Sequence, residues 1–214
     1  ILLPVGTWLA TLVLDLPANV EAAMILVAAC PGGSLSNVVT HLGRGNTALS
    51  VSISAVASLI ALLATPFNFS WMIAANPETE SWLRELSIDP SGIWLSLLMV
   101  LGIPLALGLL FSHKLPALTQ RIRKPLGNFA VGALILFIVA GLIKERQLLT
   151  LGLLPTFLIV VLHYASGLFL GWATAKAMRV SERDRRAVMI EGGMQNSGLA
   201  LGIIALQFGS DLGM

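Results

Sequence analysis

Charge is scarce in this 214-residue chain: 11% of its residues are charged and 56% are hydrophobic, with a mean hydropathy of +0.87. A soluble domain carries closer to a quarter charged residues, so the chain is short of the polar surface that water demands. The charges also lie in clumps between long apolar runs. That pattern predicts an all-α, polytopic helical membrane protein. The single cysteine, Cys30, excludes an intrachain disulfide and a cysteine-based metal cluster. No cleavable signal is expected, because the sequence opens directly on ILLPVGTWLATLVL without a basic leader. Of the three histidines, His163 reads as a helix contact, and His41 and His113 fall at span ends. None is assigned chemistry.

A bilayer core about 30 Å thick needs roughly 20 apolar residues per helix. Seven spans are expected: 1–16, 20–42, 47–69, 92–111, 126–143, 151–178 and 187–208. The longest connection, NPETESWLRELSIDPSG, is acidic and is expected to carry a surface helix. Lys and Arg divide ten against three between the two sides. Arg44, the basic stretch from Lys114 to Lys124 and the stretch from Lys176 to Arg186 share one side, which the positive-inside rule makes cytoplasmic. The acidic loop then faces outside.

Two of the spans are interrupted. In EGGMQNSGLA, Glu191 is the one acidic residue expected inside a span, the other ten lying in loops or near span ends. A carboxylate at membrane depth costs about 2.5–3.5 kcal/mol on insertion scales and needs a partner, a proton or a cation. Gly192 and Gly193 follow it, and the upstream Ser181–Asp184 spacing is that of a helix cap. CPGGSLSN repeats the arrangement at residues 30–37, where Pro31 breaks the hydrogen-bond ladder ahead of Gly32 and Gly33. GGSLSN and GGMQNS both place small polar residues directly after a glycine pair, in spans that run in opposite directions. Paired breaks of opposite direction are the sequence mark of an inverted-repeat transporter, and such breaks form ion and substrate sites near the midplane. Unwound backbone is tolerated there only when it is buried in protein or lines a watery cavity. Freed carbonyls, amides, hydroxyls and one carboxylate form an all-oxygen set suited to Na⁺. The glycine pairs in GLFLG and GLALG, at 167–171 and 198–202, read instead as helix-packing sites.

CPGGSLSNVVTHLGRGNTALSVSIS and EGGMQNSGLA resemble the two signature segments of the bile acid–sodium symporter family, including its bacterial members. The likeness extends through LPANVEAAMILVAACPGG, ERDRRAV and the LH…G segment at 162–167. It implies a fold of ten helices in two inverted repeats, with a core and a panel domain, of which this chain holds the third to ninth helices. On that frame residues 1–69 belong to the first repeat, with its broken helix at 30–37. Residues 70–91 form the outer loop and 92–143 are panel-type helices. Residues 144–214 are core helices of the second repeat, with a break at 191–197. The resemblance implies two Na⁺ sites. One matches Ser36, Asn37, Ser50, Ser54 and Glu191; the other matches Glu191, Gly192, Met194 and Gln195. Substrate contacts map to Ser34 and Asn196. The chain departs from the family pattern at Gly192, where a larger residue is usual, and at Tyr164, where the family has Asn.

The resulting expectation is a sodium-coupled symporter of an organic anion, such as a bile acid or small carboxylate, working by alternating access in a bacterial cell membrane. It is not an enzyme and binds no nucleic acid, and its oligomeric state is open. Two alternatives stand beside it: a proton-coupled or uncoupled anion transporter, and an intramembrane enzyme with Glu191 as base. Against the enzyme, the sequence shows no second buried acid, no His-rich metal set and no G-x-S-x-G nucleophile.

Overall fold

The structure, a computed structural model, describes residues 2–14, 16–85, 90–144 and 153–207. Among them lie ten helices: α1 (Leu2–Thr11), α2 (Ala18–Ala29), α3 (Ser34–Leu42), α4 (Thr47–Ala74), α5 (Pro77–Glu85), α6 (Pro90–Lys114), α7 (Pro116–Lys144), α8 (Leu153–Ala177), α9 (Glu182–Gly193) and α10 (Ser197–Gln207). α4 and residues 155–177 of α8 are each long and apolar enough to cross a membrane. Large apolar side chains stand exposed along several helices, among them Leu107, Phe129, Leu136 and Leu162. In water that surface would drive aggregation, whereas in a bilayer it faces its own kind of solvent.

The second span is two helices, α2 and α3, and the seventh is α9 and α10, as the interruptions predict, with 208 outside the described residues. Other boundaries differ from the sequence reading. The first span keeps helix only to Thr11, and α4 runs on past Phe69 to Ala74. The basic stretch between the fourth and fifth spans is not a loop. Only Leu115 separates α6 from α7, which begins at Pro116, a residue whose missing N–H costs nothing in a first turn. The acidic connection does carry a helix, α5.

The chain forms two compact units, residues 1–100 with 162–214, and residues 101–161. The larger one holds both interrupted helices. Its core is built from Ile25, Leu26, Phe69, Met72 and Ile73 of α2 and α4, with Ala187 and Ile203 from the later helices. Thr65 of α4 donates to Ala29 O, a carbonyl at the C-terminal end of α2 that has no intrahelical donor (2.6 Å). Glu21 corrects the expectation of a single buried acid, since it is only 1% exposed. It sits in the first turn of α2, where the helix dipole favours negative charge, and Asn76 Nδ2 donates to its Oε2 (2.8 Å). Sequence placed Glu21 at a span end, but the fold-back of α5 covers it.

A clasp joins the ends of α4 and α9. Asn46 caps α4 by accepting from Leu49 N, and its Nδ2 donates to Asp184 Oδ1 (2.7 Å). Its backbone N–H donates to Arg183 O (2.9 Å), and Arg186 donates to Gly43 O (3.1 Å). Ser181 caps α9 by accepting from Asp184 N, as the Ser-x-x-Asp spacing predicts. Donors from Asn46 and then Ser181 hold the Asp184 carboxyl below the ordinary carboxylate value.

α8 approaches α9 through glycines. A Cβ at Gly171 would lie 2.8 Å from Val188 O, and one at Gly167 would lie 3.0 Å from Gly192 O. Packing is therefore the role of GLFLG. Gly202 of GLALG differs: a Cβ there meets nothing within 4 Å. Gly171→Ala should then lower thermal stability in detergent by about 1–3 kcal/mol through overpacking. Gly202→Ala, in a helix interior with open space, should hold or raise it by up to about 1 kcal/mol. A Gly171→Ala protein as stable as wild type would show that α8 and α9 do not meet this closely.

Candidate functional site

The two breaks cross and satisfy each other. α2 ends because Pro31 has no N–H to donate to Val27 O, and residues 30–33 leave the helix. α9, with no proline, carries its helix through both glycines, and Met194 N still bonds to Ile190 O (2.9 Å). Unwinding then covers 194–196. Gly192 and Gly193 are thus the last turn of a helix and not the unwound segment, as their likeness to Gly32 and Gly33 had suggested. Asn196 N donates to Pro31 O (2.9 Å) and Gly33 N to Met194 O (3.3 Å), giving an antiparallel bridge between Gly32 and Gln195. Each break supplies the partners that the other lacks.

Glu191 lies on the last turn of α9 beside this crossing and is 6% exposed. Its carboxylate gathers three hydroxyls from two other helices. Ser36 Oγ of α3 and Ser50 Oγ of α4 donate to Oε1 at 2.6 and 2.5 Å, and Ser54 Oγ of α4 donates to Oε2 at 2.8 Å. Hydrogen bonds to a charged group contribute roughly 1.5–3 kcal/mol each, so three can offset the insertion cost of about 2.5–3.5 kcal/mol for a carboxylate. Asn37 Oδ1 faces the same hydroxyls, 2.9 Å from Ser50 Oγ and 3.4 Å from Ser54 Oγ. Ser36, Asn37, Ser50, Ser54 and Glu191 therefore form one cluster, joining residues more than 130 positions apart.

Thr40 was missed by sequence reasoning. It is fully buried, and its Oγ1 lies 3.2 Å from Ser50 Oγ. The available signal was spacing, because Ser36 and Thr40 are four apart on one face of α3. Its position gives the cluster a useful chemical property. A hydroxyl has one proton and two lone pairs. Ser36 Oγ also reaches Gly33 O (2.6 Å), Ser50 Oγ also reaches Thr40 Oγ1 and Asn37 Oδ1, and Ser54 Oγ also reaches Asn37 Oδ1. Each proton now given to Glu191 has another acceptor within reach. A hard cation could take the carboxylate and hydroxyl oxygens without stranding a buried donor. The set is all oxygen with one negative charge. Among the described residues, no group of three or more His, Cys, Asp or Glu side chains offers donors for a softer metal.

The remaining expected residues are placed less simply. Gly192 O accepts from Gln195 Nε2 (2.9 Å), and Met194 O accepts from Gly33 N (3.3 Å). Met194 O thus already serves the crossing, and Gly192 O already holds the Gln195 side chain within the second break. Glu191, Gly192 and Gln195 line a cavity of about 520 Å³ together with Gly32 and small residues of α4. Asn196 lies on the second break, where its Oδ1 caps α10 by accepting from Leu199 N (3.0 Å). Ser34 opens α3, and its side chain lies outside the described residues.

The profile of the Sodium Bile acid symporter family matches residues 1–151. An uncharacterized sodium-dependent transporter, YocS, of Bacillus subtilis (strain 168) is 34% identical over 198 residues, 91% of this chain and 58% of that protein. A probable sodium/metabolite cotransporter, chloroplastic BASS1 of Oryza sativa subsp. japonica, is 32% identical over 98% of this chain and 50% of its own length. Sodium/bile acid cotransporter 4 of Homo sapiens is 28% identical over 97% of this chain and 47% of its own length. The chain spans about half the length of the curated relatives it matches.

The crossing makes a steric prediction. A Cβ on Gly32 would sit 2.7 Å from Glu191 Oε2, whereas one on Gly33 would make ordinary contact with Asn196 at 3.5 Å. Gly32→Ala should lower the melting temperature in detergent by several degrees and Gly33→Ala by clearly less. Equal effects would mean that the carboxylate does not face Gly32.

Proposed function

The chain belongs to the sodium bile acid symporter family, and from that premise we propose that it is the ion-binding part of a sodium-coupled symporter of organic anions. The observation that carries the reading is the gathering of Ser36, Ser50 and Ser54 on Glu191 beside two crossing helix breaks. Na⁺, as co-transported ion, would be held by those oxygens with Asn37 Oδ1. Its charge neutralises Glu191, and the serine protons turn to Gly33 O, Thr40 and Asn37. Because the ligands come from α3, α4 and α9, occupancy ties the two interrupted helices into one body. A second Na⁺ at Glu191, Gly192, Met194 and Gln195 requires Gly192 O and Met194 O to take the ion in addition to, or in place of, their present hydrogen bonds. This second site draws less support from the geometry than the first.

The substrate is an organic anion meeting the far side of the breaks near Ser34 and Asn196, and alternating access exposes it on either face in turn. Relatives are named for sodium dependence, for a metabolite and for bile acid, which supports the coupling ion and leaves the cargo to experiment. The residues at the site perform binding and need no covalent step, so the reading is a transporter and not an enzyme.

The test is uptake of a radiolabelled bile acid and of pantoate into proteoliposomes holding the full-length protein, with and without an inward Na⁺ gradient. Wild type should accumulate one of them only with Na⁺, and Glu191→Ala should reduce that accumulation at least a hundredfold. A flux that follows pH and ignores Na⁺ would replace sodium with a proton carried on Glu191.

A further inference from the structure

The second break also brings together three polar residues that the ion cluster does not use. Asn196 and Ser197 are consecutive at the start of α10, and Tyr164, the only tyrosine in the chain, lies on α8. Asn196 has a fixed orientation, because its Oδ1 accepts from Leu199 N and its backbone N–H donates to Pro31 O. Its Nδ2 therefore points away from α10 as a donor, with no hydrogen-bond partner among the described residues. The hydroxyl of Ser197 is paired with that of Tyr164. A phenol O–H is a better donor than an aliphatic hydroxyl. Tyr164 then donates to Ser197 Oγ, and the serine keeps its own proton to give elsewhere. Asn196 and Ser197 are half-buried, and so is Tyr164.

We infer that Tyr164 is a positioning residue for substrate recognition: it sets the Ser197 hydroxyl as a second donor beside Asn196 Nδ2, and the two together receive one oxyanion of the substrate. This deepens the transporter reading and rests on it, assigning to the substrate an anionic head that accepts two neutral donors. Neutral donors reward basicity at the acceptor, so a carboxylate gains more from the pair than a sulfonate, whose charge is spread over three weakly basic oxygens. Tyr164 has no part in the Glu191 cluster: among the described residues its hydroxyl pairs with Ser197, and its ring meets His163 edge-on. Its effect should fall on substrate and not on sodium.

The experiment uses the full-length protein in proteoliposomes under a Na⁺ gradient, with radiolabelled glycocholate and taurocholate as probes. These share one steroid and end in a carboxylate and a sulfonate respectively. Tyr164→Phe and Ser197→Ala should each raise KM for glycocholate roughly tenfold, the loss of one hydrogen bond to a charged group. The shift for taurocholate should be smaller, and the Na⁺ concentration for half-maximal uptake should not move. The double variant should be no worse than either single one, because Tyr164 acts through Ser197. Ser197→Thr, which keeps the hydroxyl, should restore wild-type KM. A fall in maximal rate with KM unchanged, or a parallel shift in Na⁺ dependence, would mark Tyr164 as structural and overturn the inference. Wild-type protein that accumulates neither the conjugates nor pantoate under a Na⁺ gradient would overturn the transporter reading, and this inference with it. Uptake of pantoate with no change in its KM on Tyr164→Phe would overturn this inference alone.

Discussion

Two backbone hydrogen bonds, Asn196 N to Pro31 O and Gly33 N to Met194 O, are the contacts on which the rest of this structure depends. An interrupted helix exposes donors and acceptors that a bilayer cannot satisfy, at a cost of several kcal/mol for each group left alone. Neither break is tolerable by itself. Crossed and paired as an antiparallel bridge, each supplies the other's missing partners, and the unwound segments become a rigid feature in place of a defect. Once the crossing exists, Glu191 at the end of α9 is carried against α3 and α4, where the serines stand.

Close approach is the second requirement, and absent side chains meet it. Gly32 leaves room for the Glu191 carboxylate, and Gly167 and Gly171 let α8 lie on the backbone of α9. Between lipid-immersed helices there is little hydrophobic driving force, so short distances and hydrogen bonds must hold them. Away from the crossing, the Asn46–Asp184 clasp and the Thr65 bond to Ala29 O fasten the same helices at other points. These two contacts steady the helices that carry the serine–glutamate cluster without using its side chains.

Much of this was legible in the sequence because membrane depth makes polar residues conspicuous. A proline, two glycine pairs and a carboxylate inside apolar runs mark the breaks, and the Ser-x-x-Asp spacing marks the start of α9. Other features were hidden for definite reasons. The two glycine pairs look alike, yet Pro31 stops α2 before one pair while α9 runs through the other, since only the first contains a residue unable to donate. Glu21 looked like a span-end charge because its cover, Asn76, is 55 residues away. Thr40 is an unremarkable helix residue until Ser50 is placed against it. The basic stretch before residue 125 reads as a loop by charge, yet its backbone satisfies itself as the start of α7.

By itself the sequence determined the medium, the helical class, the places where two helices must break and the family to which the chain belongs. The first three follow from composition and local spacing, which a solvent without hydrogen-bond partners enforces strictly, and the family follows from the likeness of whole segments to those of its members. The tertiary structure alone decided which oxygens meet. It brought Ser36, Ser50 and Ser54 to one carboxylate, gave each serine proton a second acceptor, used Met194 O in the crossing and Gly192 O to hold Gln195, and set Tyr164 against Ser197. The physical reason is direction. A hydrogen bond or ion site depends on where a few atoms point, and that is fixed only when helices far apart in the chain are packed to within a bond length of one another.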